Sequence, residues 1–130
     1  MIAFYLDSTS GLVPYLQLAQ QVKHALRLGQ LQVGDRLPTV KEVVAEIAVN
    51  PNTVFKAYNQ LEHEGLVASR PGQGTFVTRS LAQPSLRDQA VLRQRLVTWL
   101  RDAHTAGWDE DSIVALLTTT LRAVAKEGVV

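Results

Sequence analysis
The sequence predicts a mainly α fold with one small β-hairpin, followed by a separate αα-hairpin. Three observations predict it. Two helix starts fall about a dozen residues apart, at Thr39 and at Asn50. A Pro/Gly turn, Arg70-Pro71-Gly72-Gln73-Gly74, then separates two short β-rich runs. Beyond residue 86 the composition changes, and two longer stretches carry apolar residues at helical spacing. A helix-turn-helix closed by a hairpin is a winged helix-turn-helix.

The elements follow in order. Ile2, Phe4 and Leu6 alternate with Ala3 and Tyr5, which is the period of an edge strand, and Asp7 to Gly11 read as loop. Pro14 opens the first helix, which runs to about Leu28 and stops at Gly29. Leu18, Val22, Ala25 and Leu26 form its inward face. Tyr15 is assigned a structural role at the domain surface, and Gln17 is expected in solvent or on a neighbouring helix. Gly34-Asp35 marks a turn. Thr39-Val40-Lys41-Glu42 is a capping box, in which hydroxyl and carboxylate each satisfy a free amide. Pro38 discourages helix at Leu37. Val43, Val44 and Ile47 make a short apolar face, and Ala48-Val49 a tight connection.

Asn50 then caps the next helix, with Pro51 at its first position, where the missing amide costs nothing. Val54, Ala57, Tyr58 and Leu61 fit one inward face as far as about Glu64, and Gly65 ends the helix. The hairpin arms are Leu66 to Ser69 and Thr75 to Val77. The organisation expected is a winged helix-turn-helix over 1–78, a linker over 79–85 that contains Pro84, and a two-helix region over 86–130. The first of these two helices runs from Leu86 to about His104, with Leu86, Ala90, Val97 and Leu100 on one stripe and Leu96, Trp99 and Ala103 widening it. Ala106-Gly107-Trp108 turns the chain. Three acids, Asp109 to Asp111, suit the positive end of the next helix dipole. That helix carries Ile113, Leu116, Leu117, Leu121 and Val124 at helical spacing.

About 45 residues in two helices cannot enclose a drug-sized cavity and also bury both apolar faces. A homodimer is therefore expected. Its interface falls on Leu96, Trp99, Leu100, Ile113, Leu116, Leu117 and Leu121.

Several residues suit a nucleic-acid surface. Asn50, Asn52 and Thr53 put short polar groups at a helix N-terminus, where free amides favour phosphate. Asn also pairs with an adenine edge. Phe55 either touches a thymine methyl in the major groove or folds back onto the domain. Net charge is only +1, and residues 1–80 hold seven Lys/Arg against six Asp/Glu. The placement of charge matters more than the sum. Arg36, Lys41, Lys56 and Arg70 fall at or beside the groove-facing elements, whereas Glu62 and Glu64 fall at the far end of the recognition helix. At the hairpin tip, Gly72 lets the backbone approach DNA closely, beside Gln73.

The chain resembles the GntR family of winged-helix transcription regulators. The matching pieces are Pro14-Tyr15-Leu16-Gln17, Gly34-Asp35-Arg36-Leu37-Pro38, Val49-Asn50-Pro51-Asn52-Thr53-Val54, Lys56-Ala57-Tyr58 and Gly72-Gln73-Gly74-Thr75-Phe76-Val77. Each piece is short, but their joint order and spacing are specific. The wording at 49–54 and the short tail resemble the YtrA-like branch. The resemblance implies that the two C-terminal helices serve dimerisation, and that Lys41, the start of the recognition helix and the wing glycine meet double-stranded DNA. It also implies relatives that often control transporter genes. Many relatives carry Arg where this chain has Lys41, Pro51 and Phe55, so fewer bidentate guanine contacts are available here.

No enzymatic pattern emerges. His24, His63 and His104 lie in different elements without ligand spacing, and the chain has no cysteine. No P-loop, GxGxxG or nucleophile elbow is present. No catalytic residue, metal site or cofactor is expected. No run is apolar enough to span a membrane, and the start lacks a basic n-region and a cleavage site, so a cytoplasmic setting is expected. A small-molecule effector is compatible with this design, at the dimer seam or around 79–85, although no residue pattern points to one. Two functions fit. One is a homodimeric repressor that binds an inverted-repeat operator by helix 50–64 and wing 66–77. The other is a winged-helix adaptor that docks a protein partner without sequence-specific DNA binding.

Overall fold
The computed structural model describes residues 2–82 and 86–127. The chain divides into two compact units, Met1–Leu86 and Arg87–Val130. The first holds α1 (Pro14–Arg27), α2 (Val40–Ile47), α3 (Pro51–His63), β1 (Val67–Arg70) and β2 (Gly74–Val77). The second holds α4 (Leu86–Thr105) and α5 (Glu110–Lys126).

One apolar core serves the first unit. Helix α1 supplies Leu18, Val22, Ala25 and Leu26, α2 supplies Val43, and α3 supplies Val54, Ala57, Tyr58 and Leu61, all buried. Those are the faces that helical periodicity selects. Phe4, Leu31, Leu37, Val49, Leu66, Val67 and Val77 close the core from loops and hairpin. Leu81, within the expected linker, also packs against it half-buried, so the first part of that segment is docked. Pro84 lies outside the described residues.

The helix ends follow from local chemistry. Thr39 Oγ1 accepts from the Glu42 amide at 3.1 Å, and Glu42 Oε1 accepts from the Thr39 amide at 3.0 Å, closing the capping box. Asn50 Oδ1 accepts from the Asn52 amide at 2.9 Å. The turn between α2 and α3 passes through Ala48 at φ 52°, a left-handed conformation that disfavours a Cβ.

The hairpin pairs antiparallel, with Val67 opposite Val77 and Arg70 opposite Gly74. Its second strand is also paired on its other side. The Leu37 amide donates to the Thr75 carbonyl at 2.8 Å, the Val77 amide to Asp35 at 2.8 Å and the Gly34 amide to Val77 at 2.9 Å. Arg36 bridges Phe76 in this register. The connection before α2 is thus a short third edge of the wing.

Two expectations need correction. Residues 2–6 are not a strand. Their backbone is met by side-chain amides of α1 instead. Gln21 accepts from the Tyr5 amide at 3.1 Å and donates to its carbonyl at 2.9 Å. Gln17 accepts from the Asp7 amide at 2.9 Å and donates to the carbonyls of Asp7 and Leu12. Gln17 is therefore buried against the N-terminal segment, and it reaches neither solvent nor another helix.

In the second unit, Asp109 caps α5 by accepting from the Ser112 amide at 2.8 Å. Glycine at position 107, φ 89°, turns the chain between the helices. Helix α5 has no buried residue, and Val97, Trp99, Leu100, Ile113 and Leu116 are only half-buried.

Candidate nucleic-acid interface
The surface starts from two capped helix ends and a hairpin tip. Lys41 lies exposed on the first turn of α2. On α3, Asn52, Phe55, Lys56 and Asn59 are exposed, and Thr53 is half-buried. Phe55 leaves 52% of its surface in water, so it does not fold back onto the domain. Asn50 differs from its neighbours, because one lone pair of its Oδ1 is engaged in capping, which fixes the side chain at the helix end and leaves its amide nitrogen and a second lone pair for a ligand.

The cations are held in different ways. Lys56 Nζ stands 5.0 Å from the centre of the Tyr15 ring. That contact gives Tyr15 its role: it positions a cation beside α3. Arg70 stacks on the Phe76 ring at 4.4 Å and fixes a guanidinium on the wing. Arg36 reaches the Glu42 carboxylate at 3.4 Å, a long and partly exposed pair that leaves donors free. The Thr39 amide and hydroxyl keep the Glu42 carboxyl below the usual carboxylate pKa, and Arg36 adds to this. The acid of the capping box therefore stays ionised beside the groove.

Arg36, Pro38, Thr39, Tyr58 and the turn Ser69 to Thr75 line one open groove of about 520 Å³. Gly72 and Gln73 lie at its exposed tip. Gly74 has φ +126°, and a Cβ there would meet the Arg36 side chain at 3.3 Å. The positive φ is what favours glycine at that point, and a Cβ would also press on the Arg36 stem that lies across the hairpin.

Sequence reasoning missed one feature of this site, the pairing of residues 34–37 with β2, which no local pattern of four residues announces. Asn59, which helical spacing places outward with Asn52, Phe55 and Lys56 but to which no contact was assigned, is exposed on that same stripe. Of the expected interface set in the second unit, Leu96, Leu117 and Leu121 are exposed, whereas Trp99, Leu100, Ile113 and Leu116 are half-buried. Among the described residues no His/Cys/Asp/Glu group has the arrangement of a metal site, and no helix is long and apolar enough to cross a membrane.

A capped helix-turn-helix with a polar outward recognition helix, followed by a glycine-turned hairpin, is the frame of a winged-helix DNA-binding regulator. Comparison with known proteins narrows this class. The model of bacterial regulatory proteins of the gntR family matches residues 14–77. The HTH-type transcriptional repressor YtrA of Bacillus subtilis (strain 168) is 35% identical over 103 residues, 78% of this chain and 79% of that protein. A solved transcriptional antiterminator from Listeria monocytogenes EGD-e aligns at TM-score 0.59 and 30% identity, covering 92% of this chain and 90% of that one. AraR(DBD), solved in complex with operator ORX1, aligns at TM-score 0.52 and 27% identity, covering 58% of this chain and 93% of that one. The chain belongs to the GntR family and resembles its YtrA-like members.

Proposed function
We propose that the chain is a homodimeric repressor that occupies an inverted-repeat operator. Each subunit places α3 in the major groove and the β1–β2 wing against the adjoining backbone. Lys41, Asn52, Thr53, Phe55 and Lys56 form the groove-facing set, with Asn50 at the helix cap. Arg36, Arg70, Gly72 and Gln73 form the wing-side set. The observation that carries this reading is the α3 face itself. It is polar and exposed outward, apolar and buried inward, and bounded by a wing whose arginine is held by an aromatic ring.

The family relation, and the operator complex of a similar domain, favour this reading over a protein-docking adaptor. The dimer is supported by the second unit. An αα-hairpin in which Leu117 is 40% and Leu121 is 64% exposed leaves apolar surface that a second copy would cover. Localisation in the cytoplasm follows from the same function.

The test is selection of bound duplexes from a random pool by the full chain, then affinity of the best site against salt. An inverted repeat is expected. Four cations per subunit, Arg36, Lys41, Lys56 and Arg70, make eight per dimer, so log affinity should fall against log salt with a slope of about −7. Sedimentation should give twice the 14.3 kDa of one chain. A pool with no enriched sequence would overturn the operator reading. A single-chain mass at micromolar concentration would overturn the dimer.

A further inference from the structure
The outward face of α3 carries an uncommon set of groups for reading DNA. Asn52, Phe55 and Asn59 stand three and four residues apart, so they form one stripe along the helix. All three are exposed. Among the described residues, no side-chain hydrogen bond engages the carboxamide of Asn52 or of Asn59. The helix contains no arginine, and its one lysine, Lys56, leans toward the Tyr15 ring. The stripe therefore offers carboxamides and a phenyl ring, with no guanidinium.

Base edges in the major groove respond to these groups differently. Guanine O6 and N7 are two acceptors and suit Arg or Lys. Adenine presents an acceptor beside a donor and suits a carboxamide. Thymine alone presents a methyl group, the one apolar target for an exposed ring. At a rise of about 1.5 Å per residue, Asn52 and Phe55 stand about 4.5 Å apart along the axis. That is close to the ~3.4 Å step of a DNA strand. The two side chains therefore address neighbouring base pairs.

We propose that α3 reads two adjacent A·T pairs, with Phe55 against the C5-methyl of a thymine and Asn52 on the N6/N7 edge of an adenine one pair away. This rests on the operator-binding function proposed above. Phe55 is then a specificity-determining residue.

The test uses the full chain and the best duplex from the selection. Each thymine of the half-site is replaced, one position at a time, by deoxyuridine, which deletes only the methyl. At one thymine, affinity should fall about fourfold per half-site, and about fifteenfold with both half-sites replaced. Phe55→Ala should weaken binding to the thymine duplex and become indifferent to deoxyuridine at that position. Since the ring is half in water, the variant should melt with the parent. At the neighbouring pair, 7-deazaadenine should weaken the parent and leave Asn52→Ala unaffected. A parent insensitive to every deoxyuridine, or Phe55→Ala with the parent's full penalty, would overturn the assignment while leaving operator binding intact. A pool with no enriched sequence would remove the operator reading, and this assignment with it.

Discussion

Replacing Tyr58 with phenylalanine isolates the bond that ties the recognition helix to the rest of the head. The Tyr58 ring is buried on the inward face of α3, and its hydroxyl donates to the Pro38 carbonyl at 2.6 Å. Tyr58→Phe keeps the ring and its packing but removes the donor. Pro38 is itself buried, so its carbonyl is left without that partner. A net hydrogen bond is worth about 1 kcal/mol, and an orphaned buried acceptor costs about 1–3 kcal/mol. Tyr58→Phe should therefore destabilise the chain by roughly 2 kcal/mol. For a unit of this size that lowers the midpoint by about 10 °C. Thermal and urea unfolding, at one fixed chain concentration, measure it. A loss below about 0.5 kcal/mol would show that water or a shifted backbone satisfies Pro38, and the reasoning would fail.

The same bond has a pH signature. Burial pushes the Tyr58 hydroxyl pKa up, the nearby Glu42 carboxylate pushes it further, and Arg36 opposes them. The native state thus holds this proton more tightly than the unfolded chain, where the ordinary value of 10.0 applies. Its contribution is fully present below that value and is lost as pH rises from there through the raised native pKa. The stability gap between parent and Tyr58→Phe should narrow only on the alkaline side. A gap already narrowing near neutral pH would assign it to another group.

Three further outcomes are expected. Lys41→Ala should weaken binding to all duplexes alike and lower the salt slope by about 1 per subunit, whereas Asn52→Ala should cost about 1–3 kcal/mol and relax base preference. Both should remain dimers, and unchanged affinity in both would refute the placement of the reading surface. Leu121→Glu alters a residue 64% exposed in the single chain, so each subunit should stay folded while sedimentation shifts to the monomer. An unshifted dimer would move the interface elsewhere. Ala48→Gly should stabilise by about 0.5 kcal/mol, because relief of a left-handed alanine, roughly 1–2 kcal/mol, exceeds the added unfolded-state entropy, roughly 0.4–1 kcal/mol. A destabilised variant would show that the Ala48 methyl makes a contact worth more than the strain.

Much of this architecture was legible because its signals are local. The box at Thr39 and Glu42, the cap at Asn50 and the Pro51 start each act within one helical turn, so the residues themselves state the helix ends. The inward faces of α1 and α3 were readable from spacing alone, since burial at every third or fourth residue leaves no alternative for Leu18, Val22, Val54 or Leu61. The N-terminal segment shows where such reading stops. Alternation at Ile2 to Leu6 fits a strand, yet the partner is a pair of glutamine side chains on α1, and glutamine spacing carries no strand signal. Arg36 is a similar case. Its sequence neighbourhood leaves phosphate contact and an acid pair equally open, and the structure gives it the Glu42 pair and a backbone bridge to Phe76, both set by chain closure. Asn50 looked like a base reader by type, but cap geometry engages its oxygen first.

Three consecutive residues explain how so small a head keeps its reading groups in register. The Leu37 amide holds β2 through Thr75, the Pro38 carbonyl holds α3 through Tyr58, and Thr39 caps α2. Each bond fixes a different element to the same short stretch of backbone, and the buried Leu37 side chain anchors that stretch in the core. Neither helix can tilt without breaking a bond near this point, and the wing cannot swing without losing its second paired edge. In the proposed dimer, regulation that leaves these bonds intact would act on the spacing between two heads and not on the shape of either.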